Sequence, residues 1–323
     1  MAANPTTGPQ QTYLGIEIGG TKLQLVLGDE AGRIIERRRY HIDRIQGGAG
    51  IRAFIESALR DLVPEARLHA AAVGFGGPVD PKTGRICCSH QIEGWAGFDL
   101  GSWLNQLAGV PIYIENDANT AALAEALHGA GAGSNPVFYV TLGSGVGGGL
   151  VVDGAIYHGA IPGEVEIGHL RLDRSGTTVE ARCSGWAVDA KIRALLADRK
   201  SSVLCDWINS PPGSEAKHLA RALERGDAEA QRILRETASD LAFGLSHVTH
   251  LFHPQVIVIG GGLSLVGEPL RAAVAECLSG LIMDAFAPGP QTRLASLGED
   301  AVPVGCLLAA HRVATGRLKA SAG

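Results

Sequence analysis

One supersecondary unit occurs twice in this chain, and the repeat constrains the fold more than any other sequence feature. The first copy is LGIEIGGTKLQLVLG (14–28), and the second lies in VFYVTLGSGVGGGLVVDGAIYHG (137–159). In each copy, alternating apolar residues form two strands around a glycine turn, and a second turn follows about ten residues later. A diverged internal repeat of this kind predicts two related α/β domains with a ligand cleft between them.

The first domain is assigned to residues 13–125. The polar segment 1–12 has two prolines and no basic cluster, so it predicts a disordered tail rather than a signal peptide. Helical spacing over 50–62, a buried strand ending in a glycine-proline loop at 69–80, and a strand-to-helix segment at 111–131 follow.

The second, larger domain is assigned to residues 126–302. It contains a long helical region at 186–252 and a buried strand that runs into glycines at 256–262. The end of the chain predicts a closing helix at 303–317, which we expect to complete the first domain.

The composition is that of a soluble globular protein, with 46% hydrophobic and 19% charged residues. The net charge of −5 gives no electrostatic footprint for nucleic acid or an anionic membrane. No apolar run approaches the ~18 residues of a transmembrane helix. The six cysteines have no CxxC spacing, which indicates reduced thiols and a cytoplasmic protein.

The glycine turns suit phosphate rather than a dinucleotide. GSGVGG (143–148) matches GxGxxG, but a strand follows it where the Rossmann motif has a helix, and no GxxxxGK[ST] is present. Without a Cβ, the backbone N–H groups of a hairpin turn can close on an anion. Glycines can also serve only to allow a tight turn. The repeated hairpin and the GGG at 260–262 favour phosphate.

We therefore predict that two hairpins, one in each domain, hold the polyphosphate of ATP. Glu17, just before the first turn, is placed to act on Mg²⁺ through water, because Mg²⁺ keeps several of its waters in proteins. The candidate nucleotide-binding residues are Gly19, Gly20, Thr21, Lys22, Thr141, Gly143, Ser144, Gly145, Gly260, Gly261 and Gly262.

Asn116 and Asp117 stand where a predicted strand passes into a helix, in ENDANTAALAE (115–125). Both residue types are favoured helix caps, although one cap would suffice. A carboxylate here could instead accept the proton of a substrate hydroxyl as that hydroxyl attacks phosphorus. The residues alone leave both roles open for Asp117.

A second polar cluster lies in GEVEIGH (163–169) and consists of Glu164, Glu166 and His169. Metal ligation is one interpretation, although HExxH and a cysteine cluster at zinc spacing are absent. Two carboxylates and an imidazole also suit the hydroxyl groups of a polyhydroxylated ligand. Glu180 can join this cluster, or it can form a salt bridge with a nearby arginine, Arg171 or Arg182.

These segments resemble the ROK family (repressors, open reading frames, kinases) over about residues 13–315. IEIGGTK and VTLGSGVGGGLVVDG are similar to the two phosphate motifs of that family, and GLSHVTHLFHPQVIVIGGGLS to its connecting helix and adenosine motif. The resemblance implies a sugar kinase with the two-domain actin-like ATPase fold, which is ribonuclease H-like and shared with hexokinase. We also expect a homodimer.

The resemblance further implies roles for the polar residues. Asp117 is the expected catalytic base and also contacts the sugar, beside the loop formed by Gly76 and Gly77 in GFGGPVD. The expected sugar-hydroxyl contacts are Asn116, Glu166, His169 and Glu180.

The sequence departs from the family pattern at three places. Glu17 replaces the usual aspartate, as in some fructokinase-like members. The Asn-Leu-x-x-Trp sugar loop is replaced by Gln91-Ile92-Glu93-Gly94-Trp95. The CxCGxxGC zinc motif is missing and only Cys183 lies in that region, so we predict no structural zinc.

The leading functional prediction is phosphoryl transfer from ATP to a hexose, at O6 of glucose. Fructose, N-acetylmannosamine, N-acetylglucosamine and allose stay open as substrates, and polyphosphate as the donor. A sugar-responsive repressor would need a helix-turn-helix, and only about a dozen residues precede Leu14. An actin-like assembly protein would not need the Asn-Asp pair and the Glu/His cluster.

Overall fold

The computed structural model describes residues 11–20, 22–42, 46–63, 67–89, 92–163, 165–198, 201–208 and 213–321. Residues 1–10 of the predicted tail, Thr21, Gln91 and Glu164 lie outside this part. The first strand already begins at Thr12, the last residue of the predicted tail. The chain divides into two compact units, one of Met1–Ala124, His158–Glu164 and Asp300–Gly323, and one of Glu125–Tyr157 and Val165–Glu299.

Unit 1 is a five-stranded sheet with helices. The sheet order is β3-β2-β1-β4-β7, in which β1 pairs antiparallel with β2 and parallel with β4. The strands are β1 (Thr12–Ile18), β2 (Lys22–Gly28), β3 (Ile34–His41), β4 (Leu68–Phe75), β5 (Val79–Asp80), β6 (Arg85–Ile86) and β7 (Ile112–Asn116). The helices are α1 (Gly47–Leu62), α2 (Leu100–Ala108), α3 (Asp117–Leu127), whose last three residues belong to unit 2, and the distant α10 (Ala301–Ala314).

Unit 2 contains a second five-stranded sheet, in the order β10-β9-β8-β11-β12. Its strands are β8 (Val137–Leu142), β9 (Val146–Val152), β10 (Ala155–Ile156), β11 (Val256–Gly260) and β12 (Gln291–Leu294). Its helices are α4 (Val179–Cys183), α5 (Gly185–Ala197), α6 (Val203–Asp206), α7 (Leu219–Glu224), α8 (Ala228–Phe252) and α9 (Glu268–Ser279).

The two sheets have the same topology. In each, three consecutive strands form an antiparallel meander, and the first strand of the meander then pairs parallel with the next strand, which pairs parallel with the last. The inner parallel strands are apolar and buried along most of their length, as expected for strands covered on both faces. The internal repeat predicted from the glycine hairpins is therefore confirmed.

The long helical region predicted at 186–252 is several helices rather than one. Asp227 accepts a hydrogen bond from the Ala230 N–H (2.8 Å) and caps α8, and Ser202 caps α6 by accepting from the Leu204 N–H (3.1 Å). These side chains satisfy backbone donors that a continuous helix would have used, so each one starts a new helix.

Helix α10 packs on strands that are nearly 300 positions earlier in the sequence. The Cys306 thiol lies 3.5 Å from the Ile16 carbonyl oxygen of β1. A Cβ on Gly15 would lie 3.0 Å from the Cβ of Cys306, and a Cβ on Gly305 would lie only 2.0 Å from the Thr120 carbonyl oxygen of α3. These positions are glycines because the backbones approach too closely for a side chain.

In the described part of the chain, no helix combines the length and apolar character needed to cross a bilayer.

Candidate active site

The first glycine turn closes the hairpin between β1 and β2. The Gly19 N–H donates to the Lys22 carbonyl oxygen (2.9 Å), and the Gly76 N–H, at the end of β4, donates to the Ile18 carbonyl oxygen (2.8 Å). The structure thus brings Gly19 next to the Gly76 loop of the neighbouring parallel strand. Gly20 lies in the same turn, and the predicted contact Thr21 lies outside the described residues.

Glu17 is held at the base of this turn by two donors. The Lys22 ammonium nitrogen lies 3.1 Å from Oε1, and the Gln24 amide donates to Oε2. The sequence suggested Lys22 only as a phosphate donor, and the pairing with Glu17 depends on the hairpin register that places residue 17 opposite residue 24. A single carboxylate can hold Mg²⁺ through water, since Mg²⁺ keeps several waters and takes substrate phosphates as ligands. The Lys22 ammonium opposes direct coordination at the same carboxylate.

The Asn116–Asp117 pair lies at the junction of β7 and α3, and the two side chains differ in their contacts. Asn116 Oδ1 accepts hydrogen bonds from the N–H groups of Ala118 (2.9 Å) and Asn119 (3.2 Å), so Asn116 caps the helix. Its amide donates to the Gly77 carbonyl oxygen (3.2 Å). Because Asn116 supplies the cap, α3 does not require Asp117 as its capping residue.

Asp117 faces the glycine loop that follows β4. A Cβ on Gly76 would lie 3.4 Å from Asp117 Oδ2, and Asp117 Oδ1 accepts from the Ala118 N–H (2.8 Å). Within unit 1, the structure therefore places Gly76, Gly77, Asn116 and Asp117 close together.

The second glycine turn, between β8 and β9, lies beside the start of a helix. The Gly143 N–H donates to the Gly145 carbonyl oxygen (2.9 Å), and the Gly185 N–H at the first residue of α5 donates to the Gly143 carbonyl oxygen (2.7 Å). Ser184 caps α5 by accepting from the Ala187 N–H (3.1 Å). The N-terminus of a helix of this length carries partial positive charge, which favours an anion near the turn.

Glu180 contacts this turn. Its Oε2 accepts a hydrogen bond from the Val146 N–H (2.9 Å), and a Cβ on Gly145 would lie 2.4 Å from the same oxygen. The alternative, a salt bridge from Glu180 to Arg171 or Arg182, is wrong: Arg182 pairs with Asp240 at 2.8 Å, and among the described residues Arg171 has no ion pair with Glu180. Glu180 therefore holds the second hairpin in place, a contact that its distance in sequence from residue 146 concealed.

Glu166 and His169 form an exposed pair in the same unit. His169 closes a short 3₁₀ turn, and its Nε2 lies 3.9 Å from Glu166 Oε2, with side-chain exposures of 71% and 49%. Both side chains present hydrogen-bonding groups to solvent, as residues that bind a soluble polar ligand must.

The three glycines at the end of β11 differ in whether packing leaves room for a side chain. A Cβ on Gly260 would lie 2.3 Å from the Tyr139 hydroxyl, and one on Gly261, at φ +80°, would lie 2.5 Å from the Leu142 N. The close pairing of β8 with β11 therefore requires both glycines. A Cβ on Gly262 would meet nothing within 4 Å. Thr141 is the register partner of Gly260 in this pair of strands.

Gly262 lines a cavity of about 410 Å³ in unit 2, together with Gly143 and Ser144 of the second turn. The other lining residues, among them Trp186 and Lys217, were not among the candidate residues from the sequence. Trp186 is 53% exposed although it is a large aromatic residue. The sequence signal for Trp186 was its place two residues after Ser184, a favoured helix-cap residue, which puts it in the first turn of a helix. A cavity with an exposed aromatic ring beside a glycine turn can hold a planar base joined to phosphate.

Solved structures identify the class of protein. The ROK hexokinase from Thermus thermophilus superposes with a TM-score of 0.78 at 28% identity, covering 95% of this chain and 100% of that chain. A ROK family glucokinase from Streptomyces griseus, solved with glucose and AMPPNP, superposes with a TM-score of 0.81 at 30% identity, covering 93% and 99%. The fold is the two-domain actin-like ATPase fold, as predicted.

The family follows from the sequence match. A model of the ROK family matches residues 13–313, so the chain belongs to the ROK family. A glucokinase from Halalkalibacterium halodurans is 30% identical over 307 residues, which cover 91% of this chain and 93% of the relative. A glucokinase from Thermotoga maritima is 28% identical and covers 91% and 95%. The resemblance stated from the motifs is confirmed.

Proposed function

We propose that this protein is an ATP-dependent glucokinase that transfers the γ-phosphoryl group of ATP to O6 of glucose. The named activity of the H. halodurans and T. maritima relatives supports this proposal, as does the S. griseus enzyme with glucose and AMPPNP. The observation that carries the proposal is that the two polar side chains at the β7–α3 junction make different contacts. Asn116 caps the helix, and Asp117 faces the Gly76 loop.

In this mechanism Asp117 accepts the proton of the sugar hydroxyl. As the O–P bond forms, the bond from the γ-phosphorus to the β,γ-bridging oxygen breaks, and ADP leaves with that electron pair. The transition state of phosphoryl transfer is loose, so positioning and electrostatics supply most of the rate. The backbone N–H groups of the glycine turns and the N-terminus of α5 serve this purpose in our proposal.

The remaining candidates bind the two substrates. We assign the base of ATP to the cavity lined by Trp186 and Gly262, and its phosphates to the glycine turns, with Lys22, Thr141 and Ser144 as additional donors. Glu166, His169 and Asn116 bind sugar hydroxyls, since carboxylates accept and imidazole and amide groups donate. Glu180 both binds the sugar and supports the second hairpin.

Glu17 would hold the Mg²⁺ that accompanies ATP, through water. When bound, the ion neutralises charge on the phosphate oxygens. The Lys22 ammonium at 3.1 Å disfavours direct coordination of a second cation by the same carboxylate.

An assay of sugar phosphate formation with Mg²⁺ tests the proposal, because both donors yield that product. The acceptors are glucose, fructose, N-acetylmannosamine, N-acetylglucosamine and allose, and the donors are ATP and polyphosphate. We expect the highest kcat/KM with glucose and ATP. One altered contact changes discrimination by only about 1–3 kcal/mol, so weaker turnover of related sugars is compatible with the proposal. Turnover of none of these sugars would contradict it, and preference for another sugar would correct the substrate.

We further propose that the enzyme is a cytoplasmic homodimer. Support for the compartment comes from its use of ATP and from the buried thiols of Cys183 and Cys306. Sedimentation equilibrium at micromolar concentration tests the dimer, and a mass of one chain would contradict it.

Glu180 offers a test that separates its two contacts. We expect Glu180→Ala to raise KM for ATP as well as KM for glucose, each by at least about tenfold, because loss of the charged acceptor costs roughly 1.5–3 kcal/mol and frees the Val146 N–H. Glu166→Ala is the matched control and should raise KM for glucose alone. An unchanged KM for ATP in Glu180→Ala would assign Glu180 to the sugar only.

We expect no stoichiometric zinc in the purified protein. Burial, with a smaller contribution from Asp240, raises the pKa of the Cys183 thiol to about 12, so this cysteine does not supply a thiolate at neutral pH. Elemental analysis after dialysis checks the expectation. One zinc per chain, lost together with folding, would show that a metal site had been overlooked.

A further inference from the structure

Unit 1 contains a cavity of about 450 Å³ that is lined by none of the residues assigned above. Its walls come from the turn after β5, strand β7, the segment 158–161 and the C-terminal residues 317–320. The volume falls within the ~300–1,000 Å³ typical of small-molecule pockets.

The C-terminal wall of this cavity is anchored rather than loose. The Ser321 N–H donates to the Ile112 carbonyl oxygen (2.9 Å), and Ser321 Oγ accepts from the Ile114 N–H (3.0 Å). The same hydroxyl donates to the Pro81 carbonyl oxygen (2.6 Å). These bonds tie the chain end to the edge strand β7 and to the turn after β5, so the cavity is formed without a ligand.

The lining is cationic in a protein with a net charge of −5. Lys82, Arg317 and Lys319 contribute three charges, and the lining includes no acidic residue. Within the described ranges, no carboxylate forms an ion pair with these three side chains. Three cations around one cavity favour a ligand with two negative charges.

Other parts of the lining are apolar. Pro81, Ile161 and Leu318 line the same space, and Ile161 is a large side chain exposed at 41%. An inorganic anion would leave this apolar surface in water, whereas an organic body attached to the anion would cover it. The lining therefore fits an anion that carries an apolar body.

The innermost lining residues lead to the β7–α3 junction. The Tyr113 hydroxyl donates to Glu115 Oε2 (2.6 Å), and His158 Nε2 lies 2.7 Å from the same oxygen. Glu115 Oε1 accepts from the Asn116 N–H (2.9 Å) and from the Asn119 amide (3.1 Å). Burial and the neighbouring Glu115 raise the pKa of Tyr113, so its hydroxyl stays a donor. Each link in this network is a direct hydrogen bond.

We propose that this cavity is a regulatory site for a small organic phosphate monoester, whose binding is transmitted through Tyr113, His158 and Glu115 to Asn116. Asn116 precedes the proposed catalytic base, so the ligand acts on the active site without entering it. A ligand that contacts Tyr113 or His158 changes the partners available to Glu115, and the two states differ in how Asn116 is held.

Isothermal titration calorimetry with phenyl phosphate tests the binding. The titration is made with saturating glucose and AMPPNP so that the proposed active site is filled. We expect one site per chain, with affinity at least about tenfold lower in Arg317→Ala/Lys319→Ala, because the double variant removes two of the three cations that would contact the phosphate. The matched control, Arg174→Ala/Arg235→Ala, removes the same charge from unit 2 and should bind as the wild type does.

Three outcomes would overturn the site: no heat of binding, equal affinity in the Arg317/Lys319 double variant, or equal affinity for inorganic phosphate. Equal affinity for benzoate would overturn the choice of phosphate. None of these depends on sugar phosphorylation, so failure here is distinct from failure of the proposed function.

Hydrogen exchange tests the transmission separately. We expect phenyl phosphate to change the exchange of peptides that cover residues 112–120 in the wild type. Binding without any change in those peptides would overturn the transmission to Asn116.

Discussion

Asp117→Asn is expected to lower kcat at least about 100-fold, since a general base typically contributes ~10²–10⁴-fold. The substitution keeps the shape of the side chain and the oxygen that accepts from the Ala118 N–H, and it removes the negative charge. The helix cap belongs to Asn116, so thermal stability and glucose affinity should stay near those of the wild type. Steady-state kinetics, a thermal melt and calorimetric titration with glucose measure the three quantities.

Asp99→Ala is the matched control for this prediction. Asp99 caps α2 in the same unit by accepting from the Ser102 N–H (3.0 Å). Its loss should cost about 0.5–2 kcal/mol of stability and leave kcat near the wild-type value. If turnover of Asp117→Asn stays within a few-fold of wild type, as expected for Asp99→Ala, then Asp117 is not the catalytic base and the proposed active site is wrong.

Gly305→Ala is expected to give the largest loss of stability among the substitutions considered. The added Cβ would lie 2.0 Å from the Thr120 carbonyl oxygen, an atom of the α3 backbone that cannot rotate away. The helices must separate, and overpacking of this kind typically costs about 1–3 kcal/mol, occasionally more. Calorimetric melting should show a fall of several degrees, since a kcal/mol corresponds to roughly 2–4 °C in domains of this size.

Gly280→Ala provides the control for adding a methyl group to a glycine. Gly280 has φ −83°, and its Cβ would meet only the Cys277 carbonyl oxygen at 3.7 Å. That change should be neutral or stabilise by up to about 1 kcal/mol, because it restricts the unfolded chain. A wild-type melting temperature for Gly305→Ala would mean that α10 and α3 can move apart at no cost.

Much of the fold was predictable because its signals are local. Alternating apolar residues around Gly19 and around Gly143 define two hairpins, and their equal spacing from the second turn reveals the repeat. Because the two sheets have equivalent strand orders, a description of one repeat also describes the other. The Asn-Asp pair was also visible, since a polar break after a buried strand marks the start of a helix.

The roles within the site were harder to predict because they depend on contacts between distant residues. The sequence could not decide between Asn116 and Asp117 as the cap, which is settled by the directions of their side chains. Glu180 contacts Val146, 34 positions away, and a helix cap at Ser184 puts Trp186 into the cavity. Gly260 and Gly261 match a ligand motif, but close packing against Tyr139 and Leu142 also requires glycine at these two positions.

The remote position of α10 in the chain has a consequence for synthesis on the ribosome. Strands β1 and β4 emerge early, whereas the helix that covers them begins only at Ala301. Until then, the apolar face around Gly15 and Gly74 has no partner, and α10 later places Cys306 and Val302 against it. Contacts so distant in sequence form slowly, and exposed sheet surface favours aggregation. The sheet that is translated first is therefore the last to be completed, and nascent chains that stop before residue 300 should depend most on chaperones.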